Sequence, residues 1–290
     1  VLLPPAPAPE PKKAVKKPVK KVKTARRIKR APARFRATEE KELLIEFVGD
    51  SITSGKGGTG KTSITGGVAS SLAQMGRSVL CIDMDIGLRN LDISLGMSEF
   101  GALSFVDVYK GGYSLSQAAQ HSMYPSLRFL TAPVNLRAED VDSKAFANLL
   151  RQARREFDYI FLDAPAGLDA GFTLCASYAD RIILVTNAEP SAIRDAARTG
   201  QRLELMKKNQ VRIVVNRVRQ KLLDVTKRTI DDVMDESGLP LLGVVPEEES
   251  VTLAAAFETP LLKYPRKGAA AACKRIAKRI QGLPVPIDLR

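Results

Sequence analysis

Ser54-Gly55-Lys56-Gly57-Gly58-Thr59-Gly60-Lys61-Thr62 is the stretch from which this 290-residue chain is best read. Gly55, Gly60, Lys61 and Thr62 hold the four fixed positions of G-x-x-x-x-G-K-[ST], the phosphate-cradling P-loop. Glycines let the backbone curl so that several N–H groups face one set of phosphate oxygens. The helix that follows adds the positive end of its dipole. Lys61 is expected at the β- and γ-phosphates, and the Thr62 hydroxyl at a Mg²⁺ coordination position. Lys56, a second lysine inside the loop, is not something phosphate binding alone requires.

Outward from the loop, from residue 43 on, short apolar runs alternate with helical patterns. Such alternation argues for a parallel sheet with helices on both faces. Strands are expected over 43–53, 78–82, 127–131, 159–162, 181–186, 212–215 and 241–245. Helices are expected near 61–75, 143–156, 190–208, 225–236, 248–256 and 268–281. Most strand runs are continuously apolar, as strands covered on both faces are. The predicted class is α/β: a P-loop NTPase with an open, mostly parallel twisted sheet in three α/β/α layers. The first strand is the exception, because Gly49-Asp50-Ser51 puts a flexible residue and a charge where a buried run is expected. Either that strand is short or the chain enters it in an unusual way.

Ligands of open α/β sheets bind beyond the carboxyl ends of the strands. After 78–82 comes Asp83-Met84-Asp85-Ile86-Gly87, two carboxylates two residues apart before a glycine-containing loop. This suits a switch that feels a γ-phosphate and its Mg²⁺. After the 159–162 strand comes Asp163-Ala164-Pro165-Ala166-Gly167, and an acid ending an apolar strand is the Walker-B arrangement, which holds Mg²⁺ directly or through water. Plain capping is the alternative for these acids. Asn216-Arg217 and Pro246-Glu247 end two further strands, where an amide and a turn backbone can read a purine edge.

The rest of the composition mostly excludes. His121 is the only histidine, which rules out histidine-based triads and metal clusters; it is expected in a surface loop without a role. Cys81, Cys175 and Cys273 show no C-x-x-C spacing, so a disulfide framework is not expected and a reducing cytosol fits. Cys81 and Cys175 should pack as small hydrophobes. Arg194-Asp195 with Arg198 reads as a solvated helix face. No apolar run is long enough to span a membrane, and Val1-Leu2-Leu3 is too short for a signal-peptide core. The start at Val1 rather than Met suits a processed or truncated chain.

The net charge of +13 is local. Residues 1–36 hold 13 Lys/Arg against Glu10 alone, which leaves 32 basic and 31 acidic residues elsewhere. Three segments are expected: a disordered basic tail over 1–42, an ATPase domain over 43–282 and a short tail over 283–290. With Phe35 as its one aromatic, the first tail offers no stacking platform for bases. It is either a solubilising arm or a sequence-blind electrostatic tether to DNA or an anionic membrane.

Taken together, the motifs resemble the MinD/ParA family of deviant Walker A ATPases. Lys56-Gly57-Gly58-Thr59-Gly60-Lys61-Thr62 matches the family's K-G-G-x-G-K-T, and Asp83 to Asp92 is similar to the first switch of its division-site branch. Asp163 to Gly167 resembles its D-x-P-A-G, while Ile193-Arg194-Asp195 and Gly243 to Glu247 fit later motifs. The likeness runs from about residue 52 to residue 262. It implies ATP sandwiched between two subunits, with Lys56 reaching the partner's phosphates. It also implies that Lys61 binds the subunit's own nucleotide, that Asp85 positions the attacking water, and that Asp83, Asp163 and Thr62 organise Mg²⁺. Ser63 would contact the α-phosphate, and Asn216 and Pro246, with Glu247, would flank adenine. The implied cofactors are ATP/ADP and Mg²⁺.

The implied function is a slow, effector-stimulated ATPase that cycles between monomer and ATP dimer to place the division septum. It would act in the cytoplasm or peripherally at the inner face of the cell membrane, with division-site proteins as effectors. Alternatives are a flagellar-number regulator or a ParA-like partition ATPase of the same family. Outside the family, the alternative is a non-hydrolysing nucleotide-binding scaffold. Three departures stand out: the 281–290 segment carries two prolines and no amphipathic membrane-targeting helix, Arg194-Asp195-Ala196-Ala197-Arg198 lacks one acid of R-D-x-D-R, and the basic tail is additional. Attachment of the tail to DNA or anionic vesicles is expected to fall about a thousandfold between roughly 50 and 200 mM salt. Co-sedimentation checks this, and binding that survives deletion of residues 1–36 assigns the tether elsewhere.

Overall fold

The computed structural model describes residues 49–99, 101–264 and 267–288. The basic tail and the 43–48 part of the expected first strand lie outside the described residues. Among those described, one sheet contains β1 (Gly49–Ser54), β2 (Val79–Asp83), β3 (Ala119–Gln120), β4 (Leu127–Leu130), β5 (Tyr159–Ala166), β6 (Arg181–Thr186), β7 (Val211–Val218) and β8 (Leu241–Pro246). The order is β3-β4-β2-β5-β1-β6-β7-β8, parallel throughout except for the β3–β4 pair. Helices α1 (Lys61–Gln74), α2 (Leu91–Leu95), α3 (Phe105–Tyr109), α4 (Ser143–Glu156) and α5 (Ala170–Tyr178) accompany the first five strands. The second half carries α6 (Pro190–Leu205), α7 (Gln220–Thr226), α8 (Ile230–Ser237), α9 (Glu249–Ala256) and α10 (Gly268–Ile280).

The expected three-layer architecture is present, and its cause is visible along each strand. Val79 and Cys81 of β2 join a core with Val68 and Leu72 of α1 and Ile276 of α10. Leu80 and Ile82 point the other way, to Phe105 and Phe146. Side chains alternate faces along a strand, so a continuous apolar run fills both layers at once. Cys81, Cys175 and Cys273 are all buried. Gly67 lets α1 and α10 approach, since a Cβ there would stand 2.6 Å from the Cys273 Sγ.

Several elements differ from the sequence expectation. The expected 225–236 helix is two, because Lys227 turns left-handed at φ 53° and Thr229 starts α8 with a capping box to Asp232. The short α2, α3 and β3 and the nine-residue α5 were not anticipated; the first three are too brief for periodicity to register. His121, expected in a surface loop, is buried directly after β3 with its ring against Tyr124.

The charge in β1 has a partner. Asp50, fully buried, accepts two hydrogen bonds from Arg181 at the start of β6, from Nε at 2.8 Å and Nη2 at 2.9 Å. Arg181 Nη1 also donates to the Ile280 carbonyl at the end of α10. Burial pushes the Asp50 carboxyl up, and the guanidinium opposes that shift. The entire strand is therefore buried despite its polar residues. Replacing Arg181 with Met leaves Asp50 uncompensated and is expected to cost about 3 kcal/mol in denaturant unfolding. Adding Asp50→Asn should recover part of that loss.

Candidate nucleotide site

β1 lies between β5 and β6, and the chain leaves it for β2 on one side, whereas β6 and β7 extend the other. Its carboxyl end is thus a topological switch point, where α/β sheets bind ligands. The P-loop occupies it. Gly58 (φ 77°) and Gly60 (φ 86°) supply left-handed turns, and Gly60 caps α1. A Cβ on Gly55 would meet the Asp195 carbonyl and Thr199 Oγ1 at 2.6 Å, so α6 packs directly on the loop backbone. Gly57 and Gly58 stand clear of such contacts and are exposed. Asn216 Nδ2 donates to the Thr59 carbonyl at 2.8 Å, and the Gly167 N–H to the Ser54 carbonyl at 3.2 Å.

Behind the loop, Asp163 is buried and accepts from Thr62 Oγ1 at 2.8 Å and Thr65 Oγ1 at 2.7 Å. Asp83 is its register partner on β2. Asp83 is buried as well and accepts from the N–H groups of Asp85 (2.9 Å) and Leu91 (3.2 Å). Burial pushes the Asp163 carboxyl up, against the Lys61 charge and the hydrogen bonds from Thr65 and Thr62. The Asp83 carboxyl is pushed up to about 7, first by burial and then by the Asp163 charge. Asp85, on the loop that follows β2, adds negative charge toward both.

The two loop lysines part. Lys61 is 9% exposed and its charge acts on Asp163, while the Lys56 side chain is 43% exposed. Lys56 Nζ meets Glu189 Oε2 at 3.4 Å and Ser191 Oγ at 3.3 Å, at the start of α6. Ser63, on the first turn of α1, is half-buried. Pro246 and Glu247 line a separate open cavity of about 610 Å³ with Val218, Arg219 and Leu222. Glu247 pairs there with Arg219. The geometry thus gathers Lys61, Thr62, Asp83, Asp85 and Asp163 at one place, puts Asn216 against the loop, and leaves Pro246 and Glu247 farther out.

Thr65, Glu189, Ser191 and Thr199 were not singled out from the sequence. Thr65 had a signal, being one helical turn from Thr62 on the same face. The α6 residues had none, since only the tertiary packing brings them to the loop.

Among the described residues no group of three acids, histidines or cysteines forms a metal cage by itself. Mg²⁺ does not need one, since it keeps waters and takes one or two carboxylates with phosphate oxygens. Thr62, Asp83 and Asp163 are hard oxygen donors of that kind, and two neighbouring buried carboxylates suit a dication.

These features define a P-loop nucleotide-binding site. The model of the CobQ/CobB/MinD/ParA nucleotide binding domain matches residues 50–261. The chain is 35% identical to the septum site-determining protein MinD of Bacillus subtilis over 246 residues, 82% of this chain and 90% of the relative. It is 32% identical to MinD of Synechocystis over 238 residues, 81% of this chain and 90% of that one. Among solved structures, the MinC:MinD cell division protein complex of Aquifex aeolicus superposes with a TM-score of 0.76 at 31% identity, covering 83% of this chain and 98% of that one. MinD of Pyrococcus horikoshii complexed with Mg-ADP gives 0.70 at 28%, covering 80% and 95%. The chain belongs to the CobQ/CobB/MinD/ParA nucleotide-binding family, and within it to the MinD-like P-loop ATPases.

An acid whose folded pKa lies above its unfolded value keeps its proton longer in the folded state, so folding stability falls as pH rises between the two. For Asp83 that window runs from 3.8 to about 7. Asp83→Asn is therefore expected to stabilise the metal-free chain by up to about 4 kcal/mol at pH 8 and by little at pH 4. Urea unfolding in EDTA at both pH values checks this.

Proposed function

We propose that this protein is a MinD-like ATPase that acts in placing the division septum, switching between a monomer and a dimer that encloses ATP. The observation that carries the reading is the divergence of the two P-loop lysines. Lys61 is nearly buried and its charge acts on Asp163, whereas Lys56 is exposed and meets the exposed Glu189 and Ser191 at the start of α6. A lysine so placed does nothing for its own subunit's phosphates but is available to a partner's. Such a charge delivered in trans resembles an arginine finger, worth about 10³–10⁵ in rate.

In this reading the P-loop N–H groups and Lys61 hold the phosphates, and Ser63 touches the α-phosphate. Thr62, Asp83 and Asp163 take Mg²⁺, which on binding offsets the phosphate charge. Asp85 orients water toward the γ-phosphate. Asn216, with Nδ2 given to Thr59, keeps Oδ1 for the amino group of adenine. Pro246 and Glu247 border the base. Leu88 on the loop after β2 and Leu168 on the loop after β5 are both exposed. They supply apolar surface for the second subunit and for effectors, which would speed an otherwise slow turnover. The relative from Aquifex is in complex with MinC, and a MinC-like effector is the partner class we propose. No helix among the described residues is long and apolar enough to cross a membrane, so attachment to one would be peripheral.

Mg-ATP, but not Mg-ADP, is expected to double the apparent mass in size-exclusion chromatography with light scattering. Lys56→Ala should abolish the shift. Asp85→Ala should keep the dimer and slow turnover about 10³-fold. Normal dimerisation and hydrolysis by the Lys56→Ala chain would defeat the reading.

A further inference from the structure

His121 contributes to no contact that fixes the nucleotide directly, yet both its nitrogens are committed. Nδ1 lies 3.0 Å from the Met123 N–H and 3.3 Å from the Tyr124 N–H, and so accepts from two donors. Nε2 must then carry the proton, which it donates to the Leu95 carbonyl at 2.8 Å. The ring is 1% exposed, and burial pushes its imidazolium pKa down, consistent with a neutral ring.

Leu95 is the last residue of α2, and α2 touches the phosphate end of the site twice. The Leu91 N–H donates to Asp83 Oδ2 at 3.2 Å. Ser94 Oγ donates to the Thr62 carbonyl at 3.1 Å, an approach that Gly66 permits, since a Cβ there would stand 2.7 Å from Ser94 Oγ. A five-residue helix has no stability of its own, so its position is set by the burial of Leu91 and Leu95 and by its bonds: Leu91 at its start to Asp83, and Ser94 and Leu95 at its other end to Thr62 and His121.

We infer that His121 is a positioning residue for Mg²⁺: through Leu95 and α2 it holds Asp83 and Thr62 at the spacing that a Mg²⁺–nucleotide complex requires. The inference rests on the reading of Asp83 and Thr62 as the Mg²⁺ side of the site. It predicts an effect on metal-dependent binding rather than on the fold or on the phosphate loop.

Two variants separate the halves of the ring. In His121→Asn, Oδ1 takes the place of Nδ1 and keeps the turn at Met123 and Tyr124, but no atom reaches Leu95. In His121→Gln, Nε2 takes the place of the ring Nε2 and keeps the bond to Leu95. Binding of a fluorescent ADP analogue is followed while Mg²⁺ is titrated, and again in EDTA. The Asn variant is expected to need about three- to tenfold more Mg²⁺ for half-saturation, with its affinity in EDTA unchanged. The Gln variant should return toward the parent value. An unchanged Mg²⁺ requirement in the Asn variant overturns the inference, as does an equal loss with and without Mg²⁺, which marks a merely structural residue. If the Asn variant does not fold, the Gln variant decides, and a parent-like Mg²⁺ requirement is the supporting result. A parent chain that binds the analogue without any response to Mg²⁺ overturns the functional reading, and this inference with it.

Discussion

Two buried carboxylates on adjacent strands are the constraint on which the site depends. β2 and β5 pair in register, so Asp83, the last residue of β2, lies beside Asp163 within β5. Each is desolvated, and the Asp163 charge raises the cost of ionising Asp83. Lys61 supplies one positive charge nearby, and the hydroxyls of Thr62 and Thr65 supply dipoles. In the proposed reading, a dication arriving with a polyphosphate would complete the balance, offsetting the acids while the P-loop N–H groups and Lys61 would meet the anionic oxygens. The two acids whose burial costs stability would then be what favours the bound ligand, as expected where function opposes local stability.

Around that centre the P-loop is held from three directions. Gly167 after β5 donates to its first residue, Asn216 on β7 to its Thr59 carbonyl, and α6 presses on Gly55. A loop fixed at three points is pre-organised for its ligand and loses little entropy when the ligand arrives. It also leaves its two lysines little choice of direction. Lys61, at the start of α1, is carried inward with the helix, whereas Lys56 stands at the turn where the loop faces solvent and the first residues of α6.

The architecture was legible in the sequence because strands covered on both faces are continuous apolar runs, and because the P-loop ties one strand to one helix. The carboxylates were legible for the same reason: an acid at the end of such a run has to sit at the sheet's ligand edge. Pairings between distant residues were not. Asp50 looked like an obstacle to β1, and only its bidentate contact with Arg181, 131 positions away, shows how a charge is carried there. Asn216 spends its donor on the Thr59 carbonyl of the loop, a pairing that nothing in the sequence announces. His121 was assigned to the surface because nothing nearby in sequence announces its partner: that is the Leu95 carbonyl, 26 residues earlier, and backbone acceptors leave no trace in composition.

That last group of contacts bears on how the state of the site can be felt at a distance. α2 is bonded to Asp83 and Thr62 at the phosphate end, and the segment after it is bonded through Ser98 to Glu258 beyond α9. Gly96, left-handed at φ 68°, packs where a Cβ would meet the Pro260 ring at 2.5 Å. Leu91 and Leu95 are also buried in the core with α1. α2 therefore joins the Asp83 side of the site to the surface around Glu258 and Pro260 by packing as well as by backbone and hydroxyl contacts, and the tight interdigitation of that core fixes the spacing between them.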